Sequence, residues 1–271
     1  QYYLQTWHGF VSLKKMEKDA QDLLPKKYVL NAMNDSRMAD LIPASSMDRV
    51  NLFKNSFWYD GSVAETGCPR MDVLYNARRN KETVKKQLNL NPDVVYVTYA
   101  PTFRKSMSLD AYNIDLKMVK EQFETRLNKT VKIIVRLHPN FWGVDINKAF
   151  GKDVLDGSKF DDGQVLFAAS DVVISDYSDA LFESAFSGAE VYIYASDIKD
   201  YLKERGFYID YYSLPFDIAE NNEQMKNNII KFDRKQFDEK VNAFWDKLGL
   251  LEKGTSSASL AKWVDKKCGM R

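Results

Sequence analysis

A short apolar run, a polar turn and an amphipathic run follow one another at residues 171–187, which read DVVISDYSDALFESAFS. The apolar, β-branched residues at 171–175 predict a buried parallel strand, and the run from Ser178 onward predicts a helix. Ligands of open α/β sheets bind outside the carboxyl ends of strands, and a helix start favours phosphate there. The turn is therefore a candidate phosphate site, formed by Ser175, Asp176, Tyr177 and Ser178. The alternative is that Asp176 and Ser178 only cap the helix.

The same alternation of strand and helix runs through the rest of the second half. Further strands are predicted at 94–99, 131–137 and 190–194. Helices are predicted at 109–127, 164–169, 198–204, 223–232, 234–248 and 256–268. Strands that alternate with helices form a mostly parallel sheet covered on both faces, so the predicted fold class is α/β.

The first third of the chain has a less regular pattern. Predicted strands are the end of one at 2–5 and a short one at 29–33. Predicted helices begin at a Ser36 cap and run to 41, begin at a Ser45 or Ser46 cap and run to 57, and cover 80–88. Residues 65–72 predict a loop after a short strand. We place the domain boundary between 74 and 93, which divides the chain into 1–85, 86–255 and a final helix at 256–271.

Composition excludes several classes of protein. The 271 residues are 45% hydrophobic, which suits one large or two medium domains. A net charge of +1 predicts no nucleic-acid partner. The two cysteines, Cys68 and Cys268, are far apart, so neither a disulfide framework nor a zinc site is expected, and a reducing cytoplasm fits. No apolar run approaches the roughly 18 residues of a membrane span, so we expect a soluble or peripheral protein.

Polar side chains follow three of the predicted strands of the second half. They are Thr102 and Arg104 after the first, Arg136 and His138 after the second, and the turn from Ser175 to Ser178 after the third. The carboxyl ends of parallel strands lie at one edge of a sheet, so these side chains would converge on one crevice. Arginine offers a fork for phosphate oxygens. The alternatives are that Arg104 is a solvated loop residue and that Arg136 is a structural ion-pair partner.

The chain contains only two histidines, and both follow predicted strands directly. His8 stands beside Gly9, which permits a tight backbone path, and His138 stands beside Pro139. We therefore expect both histidines to be functional. No acidic cluster has metal-site spacing, so no obligatory metal ligand set is predicted.

Six motifs occur in the order found in the CDP-glycerol glycerophosphotransferases, the teichoic-acid primases and polymerases and their capsule-polymer relatives. They are QTWHG, GCPRMD, YAPTFR, RLHP, SDYSDALFE and YLKERGFYIDY. The closing GTSSASLAKWV is also similar to that family's terminal segment. The resemblance implies a GT-B-like arrangement of two Rossmann-like domains facing a cleft. The donor would bind mainly to the second domain and the acceptor would approach from the first. Because the chain opens at Gln1 within a strand pattern, we expect the first domain to be incomplete.

The resemblance also implies a reaction. An acceptor hydroxyl would attack the β-phosphorus of CDP-glycerol or a related CDP-alditol, releasing CMP. His8 would take the proton, and His138, Arg104 and the turn from Asp176 to Ser178 would hold the pyrophosphate. Asp176 would orient His138 or cap the helix. Supporting positions are Arg70, Asp72, Arg205 and Asp210. No cofactor is implied. The acceptor would be lipid-linked or polymeric, which places the enzyme on the inner face of the bacterial cell membrane.

The chain departs from the family pattern at a few positions. Asp179 and Glu183 stand where the family usually has serine and aspartate, and Gly188-Ala189-Glu190 replaces a segment with a cation. Three alternatives therefore stay open: a nucleotide-sugar glycosyltransferase, a relative that moves ribitol phosphate or a sugar phosphate, and a non-catalytic nucleotide-binding fragment.

A lysine-rich segment lies near the start of the chain. Its members are Lys14, Lys15, Lys18, Lys26 and Lys27. Clustered lysines bind anionic lipid, and the alternative is an ordinary solvated helix face.

Overall fold

The computed structural model describes residues 1–104, 109, 111–141, 143–204 and 206–269. The strands are β1 (Leu41–Pro43), β2 (Ser62–Ala64), β3 (Val95–Tyr99), β4 (Val131–Val135), β5 (Leu155–Asp156), β6 (Val172–Ser175), β7 (Glu190–Tyr194) and β8 (Asp217–Ala219). The helices of the first half are α1 (Lys26–Met38), α2 (Met47–Ser56), α3 (Asp72–Gln87) and α4 (Leu116–Leu127). Those that follow are α5 (Ile146–Phe150), α6 (Gly163–Ala169), α7 (Ala180–Phe186), α8 (Ile198–Glu204), α9 (Asn222–Lys231), α10 (Arg234–Leu248) and α11 (Ser256–Cys268).

A six-stranded parallel sheet organises the second half, in the order β5-β4-β3-β6-β7-β8. From β3 the chain moves outward through β4 and β5 on one side, and from β6 it moves outward through β7 and β8 on the other. This is the 3-2-1-4-5-6 order of Rossmann-like folds, and the reversal between β3 and β6 creates a crevice at their carboxyl ends. The predicted α/β class with parallel strands is confirmed.

Both faces of this sheet are buried, which explains its near-continuous apolar strands. Successive residues point to opposite faces, so Tyr96 and Val173 pack into one core while Val97 and Ile174 pack into the other. The predicted bounds of β7, α8, α10 and α11 are confirmed, and β3 and α6 agree within one residue.

A smaller parallel pair, β1 with β2, lies in the first part of the chain, and Leu4 adds a single bridge to Leu41. Ser46 caps α2 through its hydroxyl, which accepts from the Arg49 N–H at 3.2 Å, as predicted. A loop follows β2 as predicted, but it ends in a short 3₁₀ helix (Pro69–Met71), and Asp72 already begins α3.

The prediction for residues 29–41 was wrong. Residues 29–33 are in α1 and not in a strand, Ser36 is inside that helix, and Leu41 begins β1. The less exposed positions 29, 32, 33 and 36 follow helical spacing. The apolar run VLNAM is too short to show a helical period by itself.

Three helix starts also differ from prediction. The helix predicted at 109–127 begins only at Leu116, where the Asp115 carboxylate accepts from the Met118 N–H at 2.9 Å. Helix α3 begins at Asp72 and therefore crosses the proposed boundary at 85/86; it packs against α6 and α7. The domain limits stay a prediction. Helix α7 begins at Ala180, two residues after the position expected.

The chain returns to its first part after α10. The Leu251 N–H donates to the Ser45 carbonyl at 2.8 Å, and the Glu252 carboxylate accepts from the Cys68 N–H at 2.8 Å. The two carboxylate oxygens of Asp72 accept from the N–H groups of Ser256 and Ser257, so Asp72 holds the start of α11. No helix within the described ranges is both long and apolar enough to cross a bilayer.

Burial raises the pKa of Glu252 from its ordinary 4.5 to about 8, and the charge of Asp72 adds to this. Between those values the unfolded chain ionises while the folded chain keeps the proton, so the free energy of unfolding should fall as pH rises from about 5 to 8. Glu252→Gln still accepts from Cys68 and should flatten this slope in urea titrations. Exposed Glu239→Gln on α10 is the control. Parallel slopes for Glu252→Gln and the wild type would contradict the assignment.

Candidate active site

A cleft of ≈ 700 Å³ lies at the carboxyl edge of the six-stranded sheet and faces the first part of the chain. It brings together many of the candidate residues: His8, Arg70, Thr102, Arg136, His138, Tyr177 and Ser178. They converge because β3 lies between β4 and β6, so the loops after these strands are neighbours. Arg104, Ser175, Asp176, Asp72 and Asp210 are not among the residues that line it. Arg205 lies outside the described residues.

Arg104 lies at the centre of a buried ion-pair cluster. Its Nε and Nη2 bind both oxygens of Asp197 at 2.6 and 3.0 Å, and Nη2 also binds Asp176 at 2.8 Å. Its Nη1 donates to the Thr102 carbonyl at 2.5 Å. The side chain is only 9% exposed, so the alternative of a solvated loop residue is wrong. Each guanidinium nitrogen already has a protein acceptor, and the group therefore holds loops together.

The carboxylate of Asp176 also binds groups of the protein interior. One carboxylate oxygen accepts from the N–H groups of Thr102 and Tyr177 at 2.7 Å, and the other accepts from Arg104. The expectation that Asp176 orients His138 or caps the helix was wrong. The loop after β3 lies so close that its backbone N–H and its arginine bind the carboxylate instead.

The residues of the turn after β6 mainly hold neighbouring loops in place. The Ser175 hydroxyl donates to the Ala100 carbonyl at 2.5 Å, and the Tyr177 hydroxyl donates to Asp197 at 2.9 Å. The Tyr177 ring stacks on Tyr201 with centroids 3.6 Å apart. Ser178 is the partly exposed residue of this turn, and its hydroxyl accepts from the Ala180 N–H at 3.2 Å.

His138 lies at the cleft beside the ring of Phe103, with centroids 5.5 Å apart. Its Nδ1 accepts from the Asn140 N–H at 3.2 Å, which assigns the proton of the neutral ring to Nε2. Burial lowers the pKa of His138 below its ordinary 6.5. At neutral pH the side chain is therefore a neutral hydrogen-bond donor at Nε2.

His8 reaches the same cleft from the first part of the chain, with its ring 4.8 Å from that of Trp7. The next residue, Gly9, has φ +82°, and a Cβ there would collide with the Asp179 carboxylate. Only glycine allows this approach, which seats the His8 loop directly on the start of α7.

Arg136 donates from Nη1 to the carbonyls of Gly157 and Phe160, both at 2.7 Å. These contacts anchor the side chain through carbonyl groups while it lines the cleft. Lys14 also lines the cleft, with its ammonium over the Tyr201 ring at 5.1 Å. In the sequence Lys14 belongs only to a lysine-rich segment, and nothing in its spacing points to the cleft.

Three acids line the cleft among these cations: Glu17, Asp179 and Glu183. Glu183 pairs with Arg70 at 2.7 Å and accepts from Gln164 at 3.0 Å. Burial raises the pKa of Glu183 to about 7, although Arg70 opposes the shift. Burial likewise raises the pKa of Asp179, against the charges of Arg49, Arg70 and Lys14. Glu183 therefore carries less negative charge near neutral pH than an exposed carboxylate would.

The remaining candidates lie elsewhere. Asp210 caps a short turn, accepting from the Tyr212 N–H at 3.1 Å. Glu190, at the amino end of β7, pairs with Arg126 and so lies at the edge of the sheet opposite the cleft. Among the residues that the structure describes, no group of three or more His, Cys, Asp or Glu side chains is placed to hold a metal ion.

Comparison with known proteins agrees with these motifs. The family model described as CDP-glycerol:poly(glycerophosphate) glycerophosphotransferase matches residues 1–266. The chain is 29% identical to a teichoic acid poly(glycerol phosphate) polymerase of Bacillus spizizenii, covering 96% of this chain and 68% of that protein. It is 30% identical to the enzyme of that name from Bacillus subtilis, covering 97% of this chain but only 37% of the relative.

A solved structure also resembles the whole fold. It is a variant of the wall teichoic acid polymerase TagF soaked with CDPG, with a TM-score of 0.80 and 27% identity. The match covers 98% of this chain and 68% of that chain.

Replacing Arg104 by methionine should lower the free energy of unfolding by about 3–5 kcal/mol, because the buried carboxylate of Asp176 and the partly exposed carboxylate of Asp197 lose their partner. Urea denaturation measures this loss. Arg136→Met is the matched control, and we expect a smaller loss there because that guanidinium contacts carbonyl groups. Equal stability of the two variants would contradict the structural role of Arg104.

Proposed function

The chain belongs to the CDP-glycerol:poly(glycerophosphate) glycerophosphotransferase family, and we propose that it transfers glycerol phosphate, or a related alditol phosphate, from a CDP-linked donor to an acceptor hydroxyl. The observation that carries the proposal is the cleft, where both histidines of the chain meet Arg70, Arg136 and Lys14. Phosphoryl transfer requires positioning and charge stabilisation more than covalent chemistry, and this set of side chains supplies both.

The donor pyrophosphate binds at the crevice between the loops after β3, β4 and β6. His138 donates from Nε2, and Arg136 contributes positive charge from its anchored guanidinium. Ser178 and the cleft side of Thr102 complete the pocket. Arg104, Ser175, Asp176 and Tyr177 hold these loops in place without touching the donor.

The acceptor oxygen attacks the β-phosphorus and forms a new P–O bond. The bond between that phosphorus and the bridging oxygen of the pyrophosphate breaks, and CMP leaves with the electron pair. His8 takes the proton of the attacking hydroxyl, a role that general bases fill with a typical gain of about 10²–10⁴-fold. The products are a phosphodiester, CMP and one proton.

Of the three acids that line the cleft, Glu183 and Asp179 are compatible with an anionic donor. A carboxylate near a phosphate repels it, but burial raises the pKa values of Glu183 and Asp179, and Arg70 pairs with Glu183. Protonation of Glu183 when the donor binds removes its repulsion of the phosphate.

The proposed architecture is GT-B-like, with residues 86–255 on the donor side and residues 1–85 on the acceptor side. The acceptor is lipid-linked or polymeric, and the site of action is the cytoplasmic face of the membrane. Exposed apolar residues beside cations support contact with lipid: Leu23 is 66% and Leu30 61% exposed, near Lys26 and Lys27 at the start of α1.

The donor is identified by calorimetric titration with CDP-glycerol, CDP-ribitol, UDP-glucose and CMP. Selective binding of one CDP-alditol, followed by transfer of its phosphate, supports the proposal. Transfer of a sugar without phosphate would identify a glycosyltransferase instead. Binding without any transfer, across a panel of acceptors, would point to a non-catalytic nucleotide-binding fragment.

His8→Ala and His138→Ala should each lower turnover by at least ~100-fold while thermal unfolding stays unchanged. The two variants should differ in donor affinity. His138→Ala weakens CDP-alditol binding because the Nε2 donor is lost, whereas His8→Ala leaves it intact because His8 acts on the acceptor. Full turnover in either variant would remove that histidine from the mechanism.

Reversing two charges, Lys26→Glu with Lys27→Glu, should weaken binding to vesicles that contain phosphatidylglycerol by at least about tenfold, since each basic residue near an anionic surface contributes about 1 kcal/mol. Co-sedimentation with vesicles measures this. The matched control is Lys117→Glu with Lys120→Glu on α4, which should bind as the wild type does. Equal binding by both double variants would exclude α1 as the contact.

A further inference from the structure

A second cavity of ≈ 460 Å³ lies between α1 and β1, next to the cleft. Its size is within the roughly 300–1,000 Å³ typical of small-molecule sites. Trp7, Glu17 and Tyr28 line both spaces, so the cavity and the cleft share a boundary. The proposed reaction uses the cleft but assigns nothing to this cavity.

Strained backbone is found at that shared boundary. Of the non-glycine residues with positive φ within the described ranges, Asn89 and Asn128 are of a type that tolerates the left-handed region. Trp7 (φ 55°) and Glu17 (φ 51°) are not, and both lie where the two spaces meet. Such strain persists where the surroundings hold a side chain in a required place, and it is concentrated at binding sites.

The two spaces differ in charge. The cleft is lined by the cations Lys14, Arg70 and Arg136 together with three acids, whereas the described residues that line the cavity include no lysine, arginine or histidine. The cavity has the carboxylate of Asp35, the carboxylate of Glu17, which it shares with the cleft, and several amides. Asp35 already accepts from the Tyr3 hydroxyl at 2.7 Å and from Gln5 at 2.9 Å. A phosphate would meet like charge there, so an anionic group favours the cleft.

The cavity is well suited to a neutral ligand rich in hydroxyl groups. The Trp7 ring packs edge-on against Phe57, with centroids 4.8 Å apart, and this fixes an aromatic wall. The indole Nε1 is buried and has no hydrogen-bond partner among the described residues. Asn31 and Asn34 on α1 add both donors and acceptors.

We infer that this cavity binds the neutral, hydroxyl-rich unit of the acceptor, a sugar or an alditol, and excludes its phosphate groups. This rests on the proposed function of the cleft. Trp7 lines the cavity and the adjacent His8 lines the cleft, so a unit held against Trp7 presents its terminal hydroxyl beside the proposed base. Asn31 and Trp7 are then specificity residues for the acceptor.

The test uses the full chain with ¹⁵N-labelled tryptophan and follows the indole N–H signals by NMR. Trp7→Phe identifies the Trp7 signal. Titration with methyl α-D-glucopyranoside should shift that signal at millimolar concentrations, and sn-glycerol 3-phosphate at the same concentration should leave the affinity for the glycoside unchanged. Competition between the two probes, or no shift with the glycoside, would overturn the inference.

Variants of Asn31 test the cavity assignment further. Asn31→Ala should weaken glycoside binding at least fivefold and raise the acceptor KM without changing the donor KM. The matched control is Asn227→Ala, the same exchange at an exposed position of α9. Asn31→Lys should admit sn-glycerol 3-phosphate by adding the missing cation. Unchanged glycoside binding in Asn31→Ala would contradict the assignment.

The cavity and the cleft are tested separately by adding CDP-glycerol to the same samples. Glycoside binding without CDP-glycerol binding would remove the proposed donor and leave the cavity assignment standing. CDP-glycerol binding without glycoside binding would keep the proposed donor and contradict the cavity assignment.

Discussion

The buried cluster of Arg104, Asp176 and Asp197 is the constraint on which the cleft depends. Arg104 follows β3, Asp176 follows β6 and Asp197 follows β7, and these strands are neighbours in the sheet. Removing such charges from water is expensive, and the cost is offset only when each group has several well-placed partners. Here the arginine has four hydrogen bonds to the protein and each aspartate has more than one partner. The cluster thereby fixes three loops at the point where the strand order reverses.

With these loops fixed, the remaining polar groups can face the cleft. His138 and Arg136 project from the loop after β4, and Ser178 from the turn after β6. His8 comes from a separate part of the chain, and the contact of Gly9 with Asp179 sets its distance from α7. The return of the chain through Leu251 and Glu252 joins the same two parts a second time. The facing walls of the cleft are thus held by backbone contacts on both sides.

Charge separates the two spaces that meet at Trp7. Lys14, Arg70 and Arg136 line the cleft together with Glu17, Glu183 and Asp179, and burial raises the pKa values of the last two acids. The neighbouring cavity is lined by acids, amides, aromatic rings and aliphatic side chains, and by no cation among the described residues. A phosphate and a neutral polyol would therefore partition between them, since Coulomb interactions in a partly desolvated site are several times stronger than in water. The proposed reaction then uses the cleft for the phosphates of the donor and the cavity for the neutral unit of the acceptor.

Local sequence was sufficient for the strands and helices whose pattern is set by burial on both faces, such as β7, α8 and α10. It also identified the strand-end loops and both histidines, because parallel strands place their carboxyl ends together whatever the details of packing. It misread residues 29–41, where an apolar run without context fits either period. It could not decide which polar residues face a ligand. Arg104 and Arg136 look alike in the sequence. The packing of β3 with β6 and β7 buries Arg104 as a structural ion-pair partner, whereas Arg136 stays at the cleft. The joining of Gly9 to Asp179, the recruitment of Lys14 and the cavity beside α1 also depend on long-range contacts, which no local pattern encodes.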